Sequence, residues 1–209
     1  MSLFARLFGR TKTERVEPLS VADWRNDLRR HIERQVAAGY TDEAAILTEA
    51  VDVFDGECEP LILRGEAQRV LRAALAAHWE AQQDWPVRTD CDRLDDAFAA
   101  LERGGVVARQ NFTCCGTCGS AEIGDEMEVV SAAGVTVRGY VFFHMQDTDS
   151  AVEGDGLYLN YGATEDGEDA ALAVAREIVA ELEAHGLRTN WTGSWDQRIA
   201  VTLDWKRRR

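Results

Sequence analysis

The sequence lacks several features that would assign it to a functional class directly. Its 209 residues contain no apolar run approaching the ~20 residues that a transmembrane helix needs, so we expect no stable insertion into a membrane. Lysine occurs only twice, and 37 acidic against 23 basic side chains give a net charge of −14. Because binding to nucleic-acid phosphates depends on clustered lysine and arginine, nucleic acid is not an expected partner.

Common catalytic signatures are also missing, which argues against assigning an enzyme activity. The chain has no G-x-S-x-G sequence, no Gly-rich phosphate-binding loop, no dinucleotide fingerprint and no H-E-x-x-H sequence. Its first ten residues have neither the long apolar core nor the small-residue cleavage site of a secretory signal. We therefore expect a cytoplasmic protein whose five cysteines stay reduced.

Negative charge is concentrated in the body of the chain. Residues 1–35 and 205–209 carry charges of +3 and +4, whereas residues 36–104 and 105–204 carry −9 and −12. Such a field keeps a protein in solution, and it favours cationic partners or metal ions over polyanions.

Residues 18–104 have the pattern of a helical region, and they follow a basic segment, 1–17, that we expect to be flexible. Apolar residues recur at three- and four-residue spacings, and Ser20 and Thr89 are typical N-caps. Four helices are predicted, over residues 20–38, 41–54, 66–84 and 89–104.

After Gly104 and Gly105 the pattern changes to strands alternating with helices. The predicted elements are strands at 106–112, 135–145 and 157–161, helices at 120–131 and 166–185, and a hairpin formed by 187–191 and 198–203. An acidic, solvated loop is expected over residues 146–156. The fold class is therefore α+β, with N-terminal helices followed by a mixed sheet of about five strands. The order β-α-β-β-α-β-β indicates a ferredoxin-like variant covered by helices. We expect residues 105–205 to form one compact unit with 18–104, and residues 206–209 to be a basic tail.

Three of the five cysteines fall within five residues, as Cys114, Cys115 and Cys118. The cluster lies between a predicted strand and a predicted helix, where the positive end of the helix dipole lowers the pKa of a thiol. Thiolates are both nucleophiles and soft metal ligands, so the position suits metal binding or thiol redox chemistry.

A metal site would need further ligands, because structural zinc usually has four. The best candidate is Cys91, which lies in the first turn of the fourth predicted helix. Another is His144, near the end of the predicted strand 135–145, which is rich in aromatic residues. Cys58 is a weaker candidate, and a site shared between two subunits is a further alternative. The metal would be zinc or copper(I).

Thiol redox chemistry is the competing interpretation of the cluster. A C-x-x-C pair between a strand and a helix is typical of thioredoxin-like proteins. No proline follows Pro86, so the cis-proline that thioredoxin places beside the pair is missing and thioredoxin itself is not expected. A thiolate enzyme would need a base near Cys115, for which His144 is the candidate.

A function without chemistry is the alternative from a different class. The strong negative charge and the lack of a complete catalytic constellation suit an acidic protein-interaction module, such as a regulator or an immunity-type protein. The partner is then an unidentified protein, and a homodimer through the helical half is a further expectation.

Several runs resemble an uncharacterised actinomycete family of domains of unknown function marked by the sequence N-F-T-C-C-x-x-C-G. The similar segments lie at 89–94, 105–123, 139–147 and 156–162, and the likeness covers most of residues 20–203. The resemblance implies a bacterial cytoplasmic protein. It implies no reaction, cofactor or catalytic residue.

Overall fold

The computed structural model describes residues 21–209. The expected flexible segment 1–17 and the predicted N-cap Ser20 lie outside the described residues. The helices are α1 (Val21–Ala38), α2 (Glu43–Val53), α3 (Pro60–Gln82), α4 (Asp90–Arg103), α5 (Gly116–Ala132), α6 (Met145–Glu153) and α7 (Glu168–Ala184). The strands are β1 (Val106–Arg109), β2 (Gly139–Phe142), β3 (Leu157–Ala163), β4 (Arg188–Asn190) and β5 (Ile199–Thr202).

Helices α1, α2 and α3 pack on one another around their own buried cluster. Leu28, Ile32 and Ile46 are fully buried there, together with Leu63 and Ala67 of α3. Proline at the first position of α3 starts that helix at residue 60, six residues before the predicted start, because a missing N–H costs nothing in the first turn. None of the helices formed by residues 21–209 combines the length and apolarity required to cross a bilayer.

The five strands form one mixed sheet in the order β1-β2-β3-β5-β4. β1 and β2 are parallel, with Val107 opposite Tyr140, and the other neighbours are antiparallel, with Leu159 opposite Ile199. The α+β class and the mixed sheet of five strands are confirmed. In finer detail, β1 and β2 are direct neighbours, whereas a ferredoxin-like split β-α-β unit has another strand between them.

The two faces of the sheet are covered unequally. α4 and α7 cover one face, where Phe98, Phe143 and Ile178 belong to the main buried cluster. α5 lies on the other face over β1 and β2, where Ile123 packs with Phe142. The predicted boundary between the helical region 18–104 and the α+β region 105–205 therefore separates α4 from the sheet on which it packs.

One predicted strand and one predicted loop are wrong. The strand expected over 135–145 is formed only at Gly139–Phe142, and the acidic loop expected over 146–156 contains α6. His144 is the N-cap of α6 and not a strand residue, and Asp147 completes a capping box with it. The acidic residues that favoured a solvated loop in the sequence thus include a buried cap.

The basic C-terminal residues lie across the groove between the helical bundle and the sheet. The indole N–H of Trp205 donates to the carbonyl oxygen of Ala37 at 3.0 Å, and the Arg209 guanidinium donates to that of Val36 at 3.2 Å. Both carbonyls belong to the last turn of α1, where helical carbonyls lack partners within the helix. Residues 205–209, the C-terminal strap, therefore cap α1 and connect the two buried clusters.

Candidate metal centre

The cysteine cluster is positioned by the N-terminus of α5. Cys115 is the N-cap, with extended backbone, and the backbone N–H of Gly119 donates to its carbonyl oxygen at 2.9 Å. Cys118 lies one turn into the helix, and Cys114 precedes the cap. Glycine at 119 permits this placement, because a Cβ there would lie 2.4 Å from the Phe142 ring.

The three sulfur atoms are mutual neighbours. The Sγ atoms of Cys114, Cys115 and Cys118 lie within 4.8 Å of one another, and that of Cys114 is 3.4 Å from that of Cys118. Two sulfurs bound to one zinc ion at ~2.3 Å would be ~3.8 Å apart in a tetrahedron, which lies within this range. Cys114 is exposed and the other two are half-buried, so a fourth ligand could reach the site from solvent.

The thiols differ in acidity. The backbone N–H of Cys118, followed by the side chains of Cys118 and Cys114, holds the pKa of the Cys115 thiol below its usual range. Hydrogen bonds with the side chains of Cys114 and Cys115, followed by the unfavourable effect of a second negative charge beside them, raise the pKa of Cys118 to about 12. The Cys115 thiol is thus more acidic than the Cys118 thiol, as the helix N-terminus predicts, and Cys118 keeps its proton at neutral pH.

The loop that leads to the cluster has two strained backbone positions. Asn111 and Thr113 adopt positive φ angles of 51° and 59°, which are unfavourable for side chains with a Cβ and most of all for a branched one. α6 holds both residues, because Thr148 donates to Asn111 Oδ1 at 2.7 Å and the Met145 N–H donates to the Thr113 carbonyl at 3.1 Å. Strain of this kind, maintained by surrounding contacts, is typical of functional sites.

His144 lies beside the first turn of α5 but is engaged in capping α6. Its Nδ1 accepts from the Asp147 N–H at 3.3 Å, so Nε2 carries the proton, and Nε2 is 3.0 Å from Asp147 Oδ2. Burial, reinforced by the positive charge of Arg198, lowers the pKa of His144 against the opposing effect of Asp147. The neutral ring therefore has no free lone pair for a metal, and it is not in the group of close sulfurs.

The remaining two thiols are also separate from the cluster. Cys91 is buried in α4 under the C-terminal strap, and burial raises the pKa of its thiol to about 12. Cys58 lies between α2 and α3, where its thiol faces the Glu59 carbonyl oxygen at 3.6 Å. Of the five residues predicted as ligands, the structure brings together Cys114, Cys115 and Cys118, and places Cys91 and His144 elsewhere.

Sequence reasoning missed the buried charges beside the cluster. Asp147 is 4% exposed and accepts from the His144 N–H at 3.1 Å and from Arg198 Nη2 at 2.6 Å. In the sequence, the three-residue spacing of His144 and Asp147 matches that of a capping box and could have indicated that Asp147 is a cap residue. Arg198 approaches only through the sheet, from 51 residues away, and had no such signal.

Comparisons with known proteins give a family and no characterised relative. No curated protein and no solved structure matches the chain. A match to a protein family extends over residues 21–209, which includes the whole described fold and the cysteine cluster. The chain belongs to the family described as domain of unknown function DUF6891.

Proposed function

We propose that this protein binds a zinc or copper(I) ion through Cys114, Cys115 and Cys118. The observation that supports the proposal is the placement of three sulfur atoms within 4.8 Å of one another at a helix N-terminus. Thiolates are the ligands that both ions prefer, and three of them at this spacing are a sufficient set for copper(I). For zinc, an external ligand would complete the four positions. The run of residues 111–119 is then the functional signature of the chain.

Charge also favours a bound cation. Hydrogen bonds within the cluster, and next the charge on Cys114 and Cys115, oppose ionisation of Cys118 and raise its pKa to about 12. A metal cation removes that opposition and replaces the proton. The net charge of −14 attracts cations to the protein in general.

The test is the metal content of protein that is purified under reducing conditions without a metal-binding tag. We expect about one zinc or copper ion per chain in the parent protein, and loss of the ion in Cys115→Ser and Cys118→Ser. Cys58→Ser is the matched control, because Cys58 is also a half-buried thiol but lies outside the cluster. Equal metal content in the parent and in both cluster variants would contradict the proposal.

Dithiol redox chemistry is the second candidate, supported by the unequal acidity of Cys115 and Cys118. In this reaction the Cys115 thiolate attacks a disulfide substrate, forms a mixed disulfide and releases one thiolate. The Cys118 thiol then loses its proton and attacks Cys115 Sγ, which releases the second thiolate and leaves a Cys115–Cys118 disulfide. Two electrons and two protons pass to the substrate, which leaves as two thiols.

Oxidised glutathione distinguishes the two functions. Reversible loss of two thiols per chain in metal-free protein, with no metal retained after purification, would support redox chemistry. Under the metal proposal, the bound ion protects the same thiols from oxidation. The interaction-module function, a homodimer and a cytoplasmic, reducing location stay predictions.

A further inference from the structure

The cysteine cluster offers three thiols and no fourth ligand from the part of the chain that the structure describes. Its close ligand atoms are the Sγ atoms of Cys114, Cys115 and Cys118, with no histidine nitrogen or carboxylate oxygen among them. A zinc ion would have to recruit its fourth ligand from outside the chain. A centre that forms three bonds to sulfur and needs no further ligand would be complete with the residues present.

The spacing of the sulfur atoms favours a centre with narrow bond angles. The Sγ atom of Cys114 lies 3.4 Å from that of Cys118, which is shorter than the ~3.8 Å expected for two sulfurs on a tetrahedral zinc ion. A trigonal planar copper(I) centre has wider angles and places its ligands further apart. In trivalent arsenic a lone pair compresses the angles between the three bonds, so the sulfurs of a pyramidal centre lie closer together.

The charge of the resulting complex also distinguishes the candidate ligands. Three thiolates form a dianion with copper(I), a monoanion with zinc and a neutral centre with trivalent arsenic. Residues 110–137 contain four acidic side chains and no lysine or arginine, and the N-terminus of α5 supplies only about half a positive charge. In a chain with a net charge of −14, a neutral complex is favoured because it adds no further negative charge.

The backbone around the cluster is held in place by hydrogen bonds. The Cys115 carbonyl oxygen accepts from the Thr113 hydroxyl at 3.2 Å and from the Gly119 N–H at 2.9 Å. The Thr113 carbonyl oxygen in turn accepts from the Met145 N–H at 3.1 Å. Because the thiols already converge, a ligand that bonds to all three loses little binding free energy to ordering of the chain. Cys114 is exposed and gives such a ligand access from solvent.

We propose that the cluster also binds trivalent arsenic, taken up from arsenious acid, through one bond to each of Cys114, Cys115 and Cys118. The inference rests on the three-thiol site of the proposed function and adds a ligand class to it, the trivalent thiophilic metalloids. In the reaction three As–O bonds break and three As–S bonds form. Each thiol proton leaves with one hydroxyl group as water. No electron is transferred, since arsenic stays trivalent and the sulfurs keep their oxidation state.

The first test is native mass spectrometry of the reduced, metal-free protein after addition of sodium arsenite. We expect one arsenic atom per chain and the loss of three hydrogen atoms, because all three hydroxyl groups on arsenic have then been replaced by thiolates. A complex that keeps a hydroxyl group on arsenic has used only two thiols and would overturn the proposal, as would the absence of bound arsenic.

Single cysteine variants show which thiols are used, with affinities measured from the near-ultraviolet absorbance of the arsenic–sulfur bonds. Cys114→Ser and Cys118→Ser each leave two thiols in the cluster, so we expect their affinity for arsenite to be at least ~10-fold weaker than that of the parent. Cys58→Ser removes a half-buried thiol outside the cluster and is the matched control, which should bind arsenite as the parent does. Unchanged affinity in Cys114→Ser, or an equal loss in Cys58→Ser, would overturn the proposal.

Phenylarsine oxide controls for the folding of these variants. Its arsenic keeps one bond to carbon and can take only two thiols, so each single variant should still bind it. A variant that binds phenylarsine oxide tightly and arsenite weakly has an intact cluster that lacks one thiol, as the proposal expects. Cys114→Ser keeps the test decisive if Cys118→Ser folds poorly, because Cys114 is exposed.

Failure of this inference and failure of the proposed metal function give different results. Purified protein without zinc or copper that forms the arsenic complex with three bonds would overturn the metal function alone. Protein that holds zinc or copper as purified, and forms no such arsenic complex after the metal is removed, would overturn this inference alone.

Discussion

Replacing Arg207 by alanine should destabilise the whole protein, although the residue is third from the end of the chain. The Arg207 side chain is 14% exposed and donates to both carboxylate oxygens of Asp95, at 2.7 and 3.1 Å, and to Gln110 Oε1 at 2.9 Å. Its guanidinium carbon also lies 4.4 Å from the centre of the Tyr40 ring. Arg207 thereby joins α4, the residue that follows β1 and the segment after α1 through one side chain.

The expected loss follows from these contacts. A hydrogen-bonded charge pair contributes about 1.5–3 kcal/mol, and we take the lower half of that range because Asp95 is 44% exposed. The cation–π contact with Tyr40 adds about 1 kcal/mol. We therefore expect Arg207→Ala to lower the free energy of unfolding by about 3 kcal/mol. For a chain of this size, that loss lowers Tm by about 6–12 °C.

Urea unfolding followed by circular dichroism measures this loss. Lys206→Ala is the matched control, because among residues 21–209 its ammonium group pairs with Asp204 alone, whose side chain is 67% exposed. This variant should lower the free energy of unfolding by less than about 0.5 kcal/mol. A double-mutant cycle with Asp95→Asn isolates the pair. A loss in Arg207→Ala no larger than in Lys206→Ala would refute the structural role of the C-terminal strap.

Further predictions concern the helix caps and the cysteine cluster. Thr89→Ala removes the capping box of α4 and should lower the free energy of unfolding, measured in urea, by about 1 kcal/mol. An unchanged free energy of unfolding would show that water replaces the cap. Gly119→Ala should lower the free energy of unfolding by about 1–3 kcal/mol and alter thiol reactivity, because the added Cβ would lie 2.4 Å from Phe142. Unchanged stability and reactivity would show that α5 moves away freely. In metal-free protein near neutral pH, iodoacetamide should modify Cys115 well before Cys118, whose pKa of about 12 keeps it protonated. Mass spectrometry of the peptides gives the order of modification, and the opposite order would contradict the assignment. Because a metal ion must displace the Cys118 proton, metal affinity should rise about tenfold per pH unit for each proton released. An affinity that does not depend on pH between 6 and 8 would exclude Cys118 as a ligand.

Local patterns in the sequence were enough to predict most of the fold. Helical spacing and the Thr89 cap predicted α4, and the strands predicted at 157–161 and 198–203 correspond to β3 and β5. α6 was missed because its helix signal is a buried histidine and aspartate pair, and acidic residues are more often solvated. β2 was predicted too long at its C-terminal end because the apolar run continues through Phe143, which packs in the core beyond the last ladder pair. Its backbone still bonds to the segment after β1, since the Phe143 N–H donates to the Arg109 carbonyl oxygen at 3.2 Å.

The candidate site was also predictable in part from local patterns in the sequence. Cys114, Cys115 and Cys118 are close in the sequence, so their proximity in the fold needed only a helix start. Cys91 and His144 were chosen as ligands from their positions in predicted elements, and long-range packing placed one under the C-terminal strap and the other in a cap.

The amino-acid sequence by itself determined the α+β class, the cysteine cluster at a helix N-terminus and the negative charge, because each depends on residues within a few positions of one another or on composition. Only the tertiary structure decided the strand order, the role of the C-terminal strap, and the meeting of Arg198 with Asp147. Those features join residues tens of positions apart, and their positions are set by the packing of the sheet and helices as a whole.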